Sequence, residues 1–250
     1  MVVGLETFKK YFADHGDRYV LIGGAACDLL FTDAGLPFRA TKDLDIVICV
    51  EVIDAAFAKV FANFIDAGKY SQLAMHNGEK KFYRFAKPET AEFPAMIELF
   101  ARPPATIDLP DADRYTRLEV EDALISLSAL LLNDDYYALI KEGRDVIDGV
   151  SILNETLLIP FKARAWIDLT AREQAGEKGN SNNIKKHRND IFRLIQLLTN
   201  APVSLPDAVK ADLKQFVEAM AEEPVDPATF KVKGFTRDEA LTLLKKVYRL

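Results

Sequence analysis

Apolar residues recur along the chain with two different periods, and the change from one to the other divides it. Leu5, Phe8 and Phe12 share one helical face, which predicts a short amphipathic helix over Leu5–Asp14, ended by Gly16 and Asp17. Tyr19–Ile22 is a continuous apolar run of strand length, closed at once by Gly23 and Gly24 and followed by AACDLLF, which has helical composition. Beyond a loop at Asp33–Pro37 comes a second strand-like run, Thr41–Val50 (TKDLDIVICV). Ile53, Phe57, Val60, Phe61 and Phe64 then mark a helix over Val52–Phe64 that packs back on the sheet. Three strand candidates follow, Tyr70–Met75, Lys81–Ala86 and Ala95–Arg102, with Asn77 and Gly78 as turn residues between the first two. Ala105–Asp113 reads as a surface loop, Leu124–Leu132 and NDDYYALIKEGRD as helix or turn, and Val150–Leu153 as a last strand. From there the period is helical throughout: Glu155–Arg172, Asn183–Thr199, Pro206–Ala221 and Thr236–Leu250, with Ser181 or Asn182 placed to cap the second of these. The pattern predicts an α+β protein: a mixed sheet with flanking helices over residues 1–155, then a helical domain over 156–250.

Against this apolar background three carboxylates stand out. Side chains of a strand alternate between its faces, so Asp43 and Asp45 project to one side of TKDLDIVICV while Leu44 and Ile46 project to the other. Two residues of strand hold the acids roughly 6.5 Å apart. At an effective dielectric of 20 their repulsion is about 2.5 kcal/mol. A divalent cation turns that repulsion into ligation, because Mg²⁺ takes carboxylate and phosphate oxygens together. Glu98 lies in another strand candidate between Ile97 and Leu99, and a lone acid there costs several kcal/mol to bury unless it is paired, protonated or metal-bound. The order strand, Gly23–Gly24, helix brings backbone N–H groups to a helix N-terminus, the arrangement that receives anions.

Composition changes the picture only locally. With 49% hydrophobic and 28% charged residues the chain is an ordinary globular protein, and its net charge of −6 argues against generic nucleic-acid binding. Yet Pro160–Leu194 holds eight Lys or Arg against four Asp or Glu, a balance of +4. No secretory signal precedes the first helix, and the longest apolar stretch, Ala123–Leu132, is too short to span a bilayer, so a cytoplasmic protein is expected. Cys27 and Cys49 form no metal-binding pair, His15, His76 and His187 are scattered, and Ser126 and Ser128 lack the context of a hydrolase nucleophile. Tyr136, Tyr137 and Trp166 are aromatic enough to stack on a base and apolar enough to be core.

Taken together, VLIGGAACDLL, TKDLDIVICV and IELFAR resemble the DNA polymerase β-type nucleotidyltransferase superfamily. LLIPFKARAWIDLTARE and NIKKHRNDIFRLIQLL are similar to the AbiEii-type nucleotidyltransferases, the toxins of type IV toxin–antitoxin systems. The resemblance spans about Tyr19 to Leu198. It implies a polymerase β-like sheet in which Asp43 and Asp45 are the paired metal ligands and Glu98 is the third carboxylate, a metal ligand and candidate base. It implies that Gly23 and Gly24 form the turn beneath the triphosphate, that Lys162 reaches the phosphates, and that Lys186 and Asp190 lie near the nucleotide; Lys42 joins this nucleotide-binding set. Two Mg²⁺ ions (or Mn²⁺), an NTP substrate, a tRNA acceptor and a cognate antitoxin are the implied cofactors and partners. Two departures are visible: Ala25 follows the glycines where superfamily members commonly carry serine, and the third acid is glutamate rather than aspartate. Two alternatives stay open, a nucleotidyltransferase acting on a small molecule or a protein, and a non-catalytic NTP-binding module.

Overall fold

The computed structural model describes residues 2–39, 41, 43–48, 55–75, 81–101, 116–117, 133–232 and 234–250. The fold is α+β, and the chain divides into two compact units: Met1–Leu132 with Ile140–Asn154, and Asn133–Leu139 with Glu155–Leu250. No helix among the described residues is long and apolar enough to cross a membrane.

The first unit is built on an eight-stranded mixed sheet. Its strands are β1 (Tyr19–Ile22), β2 (Asp43–Ile48), β3 (Gln72–Met75), β4 (Lys81–Ala86), β5 (Met96–Ala101), β6 (Thr116–Arg117), β7 (Arg144–Ile147) and β8 (Val150–Leu153). They lie in the order β6-β3-β4-β5-β2-β1-β8-β7. β2 runs parallel to β5 and antiparallel to β1, and β4 runs antiparallel to β5. The helices are α1 (Leu5–Phe12), α2 (Gly23–Asp33) and α3 (Ala55–Gly68). The expected turn at Asn77–Gly78, the loop at Ala105–Asp113 and the segment Leu124–Leu132 lie outside the described residues.

Strand alternation sorts the sheet into two unlike faces. Tyr19 and Phe85 face an aromatic core built from α1 and α3: Phe8 and Phe12 stack at 4.4 Å, Phe8 meets Tyr19 edge-on at 5.1 Å, and Phe61 packs 5.9 Å from Phe85. Leu44, Ile46, Ile97 and Leu99 share that parity and are fully buried. Each such side chain contributes about 1.5–3 kcal/mol when taken out of water, so this layer fixes the register of every strand that enters it. The opposite parity carries Ile22, Asp43, Asp45, Glu98 and Arg84. That second face also buries Val20, Val47 and Phe100, so the charged residues sit on a face that is itself largely apolar.

The hairpin β7–β8 was not expected beyond its second strand. Arg144–Ile147 is an edge strand with exposed side chains and no apolar alternation. Its turn is Asp148–Gly149, with φ of 51° and 75°, the two-residue turn that Asp-Gly favours.

The second unit is helical: α4 (Asp134–Glu142) contributes its first turns, followed by α5 (Glu155–Gln174), α6 (Ser181–Leu194), α7 (Asp207–Glu222) and α8 (Arg237–Tyr248). α5 packs against α6 and α7, and α7 against α8. Tyr136 explains why Asn133–Leu139 belongs here: its hydroxyl donates to Asp212 Oδ2 at 2.8 Å and its ring meets Phe161 edge-on at 5.0 Å. Tyr136, Tyr137 and Trp166 are all buried, Trp166 edge-on to Phe216 at 5.3 Å, so these aromatics are core. α6 begins one residue earlier than a Ser181 cap requires. Asn180 occupies the cap position without a capping side-chain bond, and the Ser181 hydroxyl donates instead to the Glu173 carboxylate.

Candidate active site

β1 ends at Ile22 and the chain turns into α2 at Gly23, whose φ of +67° is a left-handed conformation that L side chains rarely adopt. What fills the space beside it is Asp45. A Cβ on Gly23 would lie 1.9 Å from Asp45 Oδ2, and one on Gly24 would lie 2.7 Å from Thr41 Oγ1. The glycine pair thus lets the start of β2 close directly onto the N-terminus of α2. Ile22 at the cap position supplies no capping side chain, and the first turn carries no acid of its own. The Asp45 carboxylate therefore rests against the end of a helix whose dipole favours negative charge. Gly23→Ala is expected to displace Asp45, because the left-handed conformation alone costs about 1–2 kcal/mol and the clash adds to it. Chemical denaturation should show a loss of at least about 1 kcal/mol. An unchanged unfolding midpoint would remove this reason for the glycine.

Sheet register then aligns four residues in a row across four adjacent strands: Ile22, Asp45, Glu98 and Arg84. Arg84 donates from Nε at 2.9 Å and from Nη2 at 2.7 Å, both to Oε1 of Glu98, and both residues are 7% exposed. Burial is the main cause that lifts the Glu98 pKa well above the usual carboxylate range. The charge of Asp45 and a hydrogen bond with it act in the same direction, and Arg84 opposes them. Two carboxyls on neighbouring strands are thus pressed together, with a proton favoured between them. Asp43 sits two residues earlier on the same face, half-buried and opposite Met96. Among the described residues no three acidic, histidine or cysteine side chains converge on one point. Asp45 and Glu98 form a two-carboxylate half-site. Its hard oxygen donors fit Mg²⁺ or Mn²⁺, and a divalent cation would relieve the same crowding. Asp43 lies on the same face of β2 but does not converge with the pair.

Three further residues singled out in the sequence, Lys162, Lys186 and Asp190, lie in the helical unit. Lys162 Nζ donates to Asp190 Oδ2 at 3.0 Å, and Arg193 Nη1 donates to Asp190 Oδ1 at 3.0 Å. Lys162 and Asp190 are buried, while Lys186 is exposed on α6. Pairing also claims much of the basic balance seen in the sequence: Arg164 binds Asp168 and Asp212, and Arg188 binds Glu223. Lys42 lies outside the described residues.

Sequence reading overlooked Arg84. The signal was present, since KFYRFA sets a guanidinium among aromatics just as AMIELFAR sets an acid among aliphatics. Arg193, the second cation on Asp190, was counted only as part of a basic face.

No family model matches the chain, and no curated protein matches it. Among solved structures, an antigenic nucleotidyltransferase-like protein from Paracoccidioides brasiliensis aligns over 100% of this chain and 99% of its own, at 16% identity and a TM-score of 0.48.

Proposed function

We propose that the protein is a metal-dependent nucleotidyltransferase, moving a nucleoside monophosphate from an NTP to a hydroxyl acceptor. The observation that carries this reading is the placement of Asp45. Its carboxylate is pressed between Glu98 on the neighbouring strand and the glycine turn at the N-terminus of α2. Phosphoryl-type transfer asks the protein for positioning and charge neutralisation rather than covalent chemistry. In this reading Asp43, Asp45 and Glu98 hold the cations, which when bound neutralise the triphosphate and lower the pKa of the attacking hydroxyl. The α2 N-terminus with Gly23 and Gly24 receives phosphate oxygens through backbone N–H groups, since Ala25 offers no hydroxyl. Lys42, Lys162 and Lys186 are the cations that the family resemblance assigns to the nucleotide, and Asp190 accepts a hydrogen bond from the Lys162 ammonium.

The resemblance of Leu157–Leu198 to AbiEii-type proteins supports a tRNA 3′ end as acceptor and a toxin role opposed by an antitoxin. A second reading, an NTP-binding module without transfer, is favoured by Ala25 and by the Arg84 hold on Glu98. Incubating the protein with each labelled NTP, Mg²⁺ and total RNA separates these readings. Label on tRNA supports the toxin reading, and label on protein or on a small molecule moves the acceptor. Calorimetric NTP binding with no turnover establishes the module.

A further inference from the structure

Arg84 is the one member of the charged row to which the proposed reaction gives no part, and its position is expensive. It lies in a buried stretch of β4 beside Tyr83 and Phe85, and replacing buried ion pairs by apolar side chains of similar volume is often neutral or stabilising. Packing does not call for an arginine here. Its geometry is also particular. Nε and Nη2 both bond to Oε1 of Glu98, at 2.9 and 2.7 Å, instead of spreading over the two carboxylate oxygens as the guanidinium fork can. A carboxylate oxygen offers two lone-pair positions, so these two donors use the capacity of Oε1. Oε2 is then the oxygen left for a cation, in place of the hydrogen bond that Glu98 makes with Asp45.

We propose that Arg84 is a positioning residue that sets which cation the site accepts. By occupying Oε1 it limits Glu98 to one-oxygen ligation, which suits Mg²⁺ or Mn²⁺ and disfavours Ca²⁺. The inference rests on the metal reading given above. Mg²⁺ takes near-octahedral geometry at short distances, whereas Ca²⁺ takes six to eight oxygens and commonly both oxygens of one carboxylate. The positive charge of Arg84 weakens every divalent cation alike. The geometric effect therefore shows in the ratio of two cations rather than in either affinity alone.

The test is calorimetric titration of the full chain with MgCl₂ and with CaCl₂, for wild type, Arg84→Met and Arg84→Lys. Freeing Oε1 should lower Kd(Ca²⁺)/Kd(Mg²⁺) at least about 10-fold in Arg84→Met, the scale on which partners of metal ligands act. Lysine keeps the charge and loses the two-point grip. Arg84→Lys should therefore move the ratio the same way by about 3-fold or more, and it decides the matter if Arg84→Met fails to fold. An unchanged ratio in the folded variants, with wild type binding Mg²⁺, overturns the role of Arg84 and leaves the proposed function standing. Wild type binding neither cation overturns the metal reading itself.

Discussion

Asp45→Asn should abolish nucleotidyl transfer, by at least about 100-fold, while making the metal-free protein more stable. The two effects share one cause. Asp45 and Glu98 are carboxyls on neighbouring strands, and their proximity helps hold the Glu98 proton above the usual range. An asparagine amide removes the repulsion and can donate to the Glu98 carboxylate. A gain of about 1 kcal/mol raises the melting temperature of a chain of this size by roughly 2–4 °C. The pH dependence follows from the direction of the shift. In the window between the ordinary glutamate pKa and the raised one, the folded protein holds a proton that the unfolded chain releases, so wild-type stability falls as pH rises. Asp45→Asn should flatten that fall. Melts with and without Mg²⁺ check all of this, because Mg²⁺ should stabilise wild type and leave the variant unmoved. A variant that melts lower than wild type in the absence of metal would show that Asp45 is held for structure.

Asp190→Ala should be the most destabilising single change in the helical unit. Asp190 is fully buried and accepts one bond from Lys162 and one from Arg193, so its loss takes from the Lys162 ammonium, which is 4% exposed, the carboxylate at 3.0 Å. Breaking a buried pair from one side typically costs about 3–5 kcal/mol. On this chain length that amounts to roughly 10 °C in melting temperature. The double variant Lys162→Met/Asp190→Leu removes both charges and should recover most of the loss. Arg193, whose side chain is 17% exposed, can then turn toward solvent. If the double variant melts as low as Asp190→Ala, lost packing rather than an unpaired charge sets the cost. If Asp190→Ala melts like wild type, the pair carries no stability.

How much of this was legible in the sequence depends on whether the signal was local. β1 could be read to the residue, because four apolar residues end on two glycines, and β4 likewise kept its bounds, Lys81–Ala86. β7 could not, since an exposed edge strand needs no apolar pattern; only its Asp148–Gly149 turn betrayed it. Asp43, Asp45 and Glu98 stood out because each bears a charge in an apolar strand. That Asp45 faces Glu98, and Glu98 faces Arg84, follows from register between strands far apart in sequence, which no local window contains. The glycines show the same limit. Gly23 was read as a phosphate turn, whereas its missing Cβ first of all admits Asp45. Lys162 and Asp190 were each singled out, yet their pairing across 28 residues becomes visible only when α5 and α6 pack together.

Nucleotidyl transfer is tested most directly by following the two ends of the triphosphate separately. With Mg²⁺ and total RNA, label at the α-phosphate should move to the acceptor while label at the γ-phosphate leaves in pyrophosphate, and Asp45→Asn should do neither. Label from the γ-phosphate on the acceptor, or its release as inorganic phosphate with no α-label transferred, would contradict nucleotidyl transfer at this site.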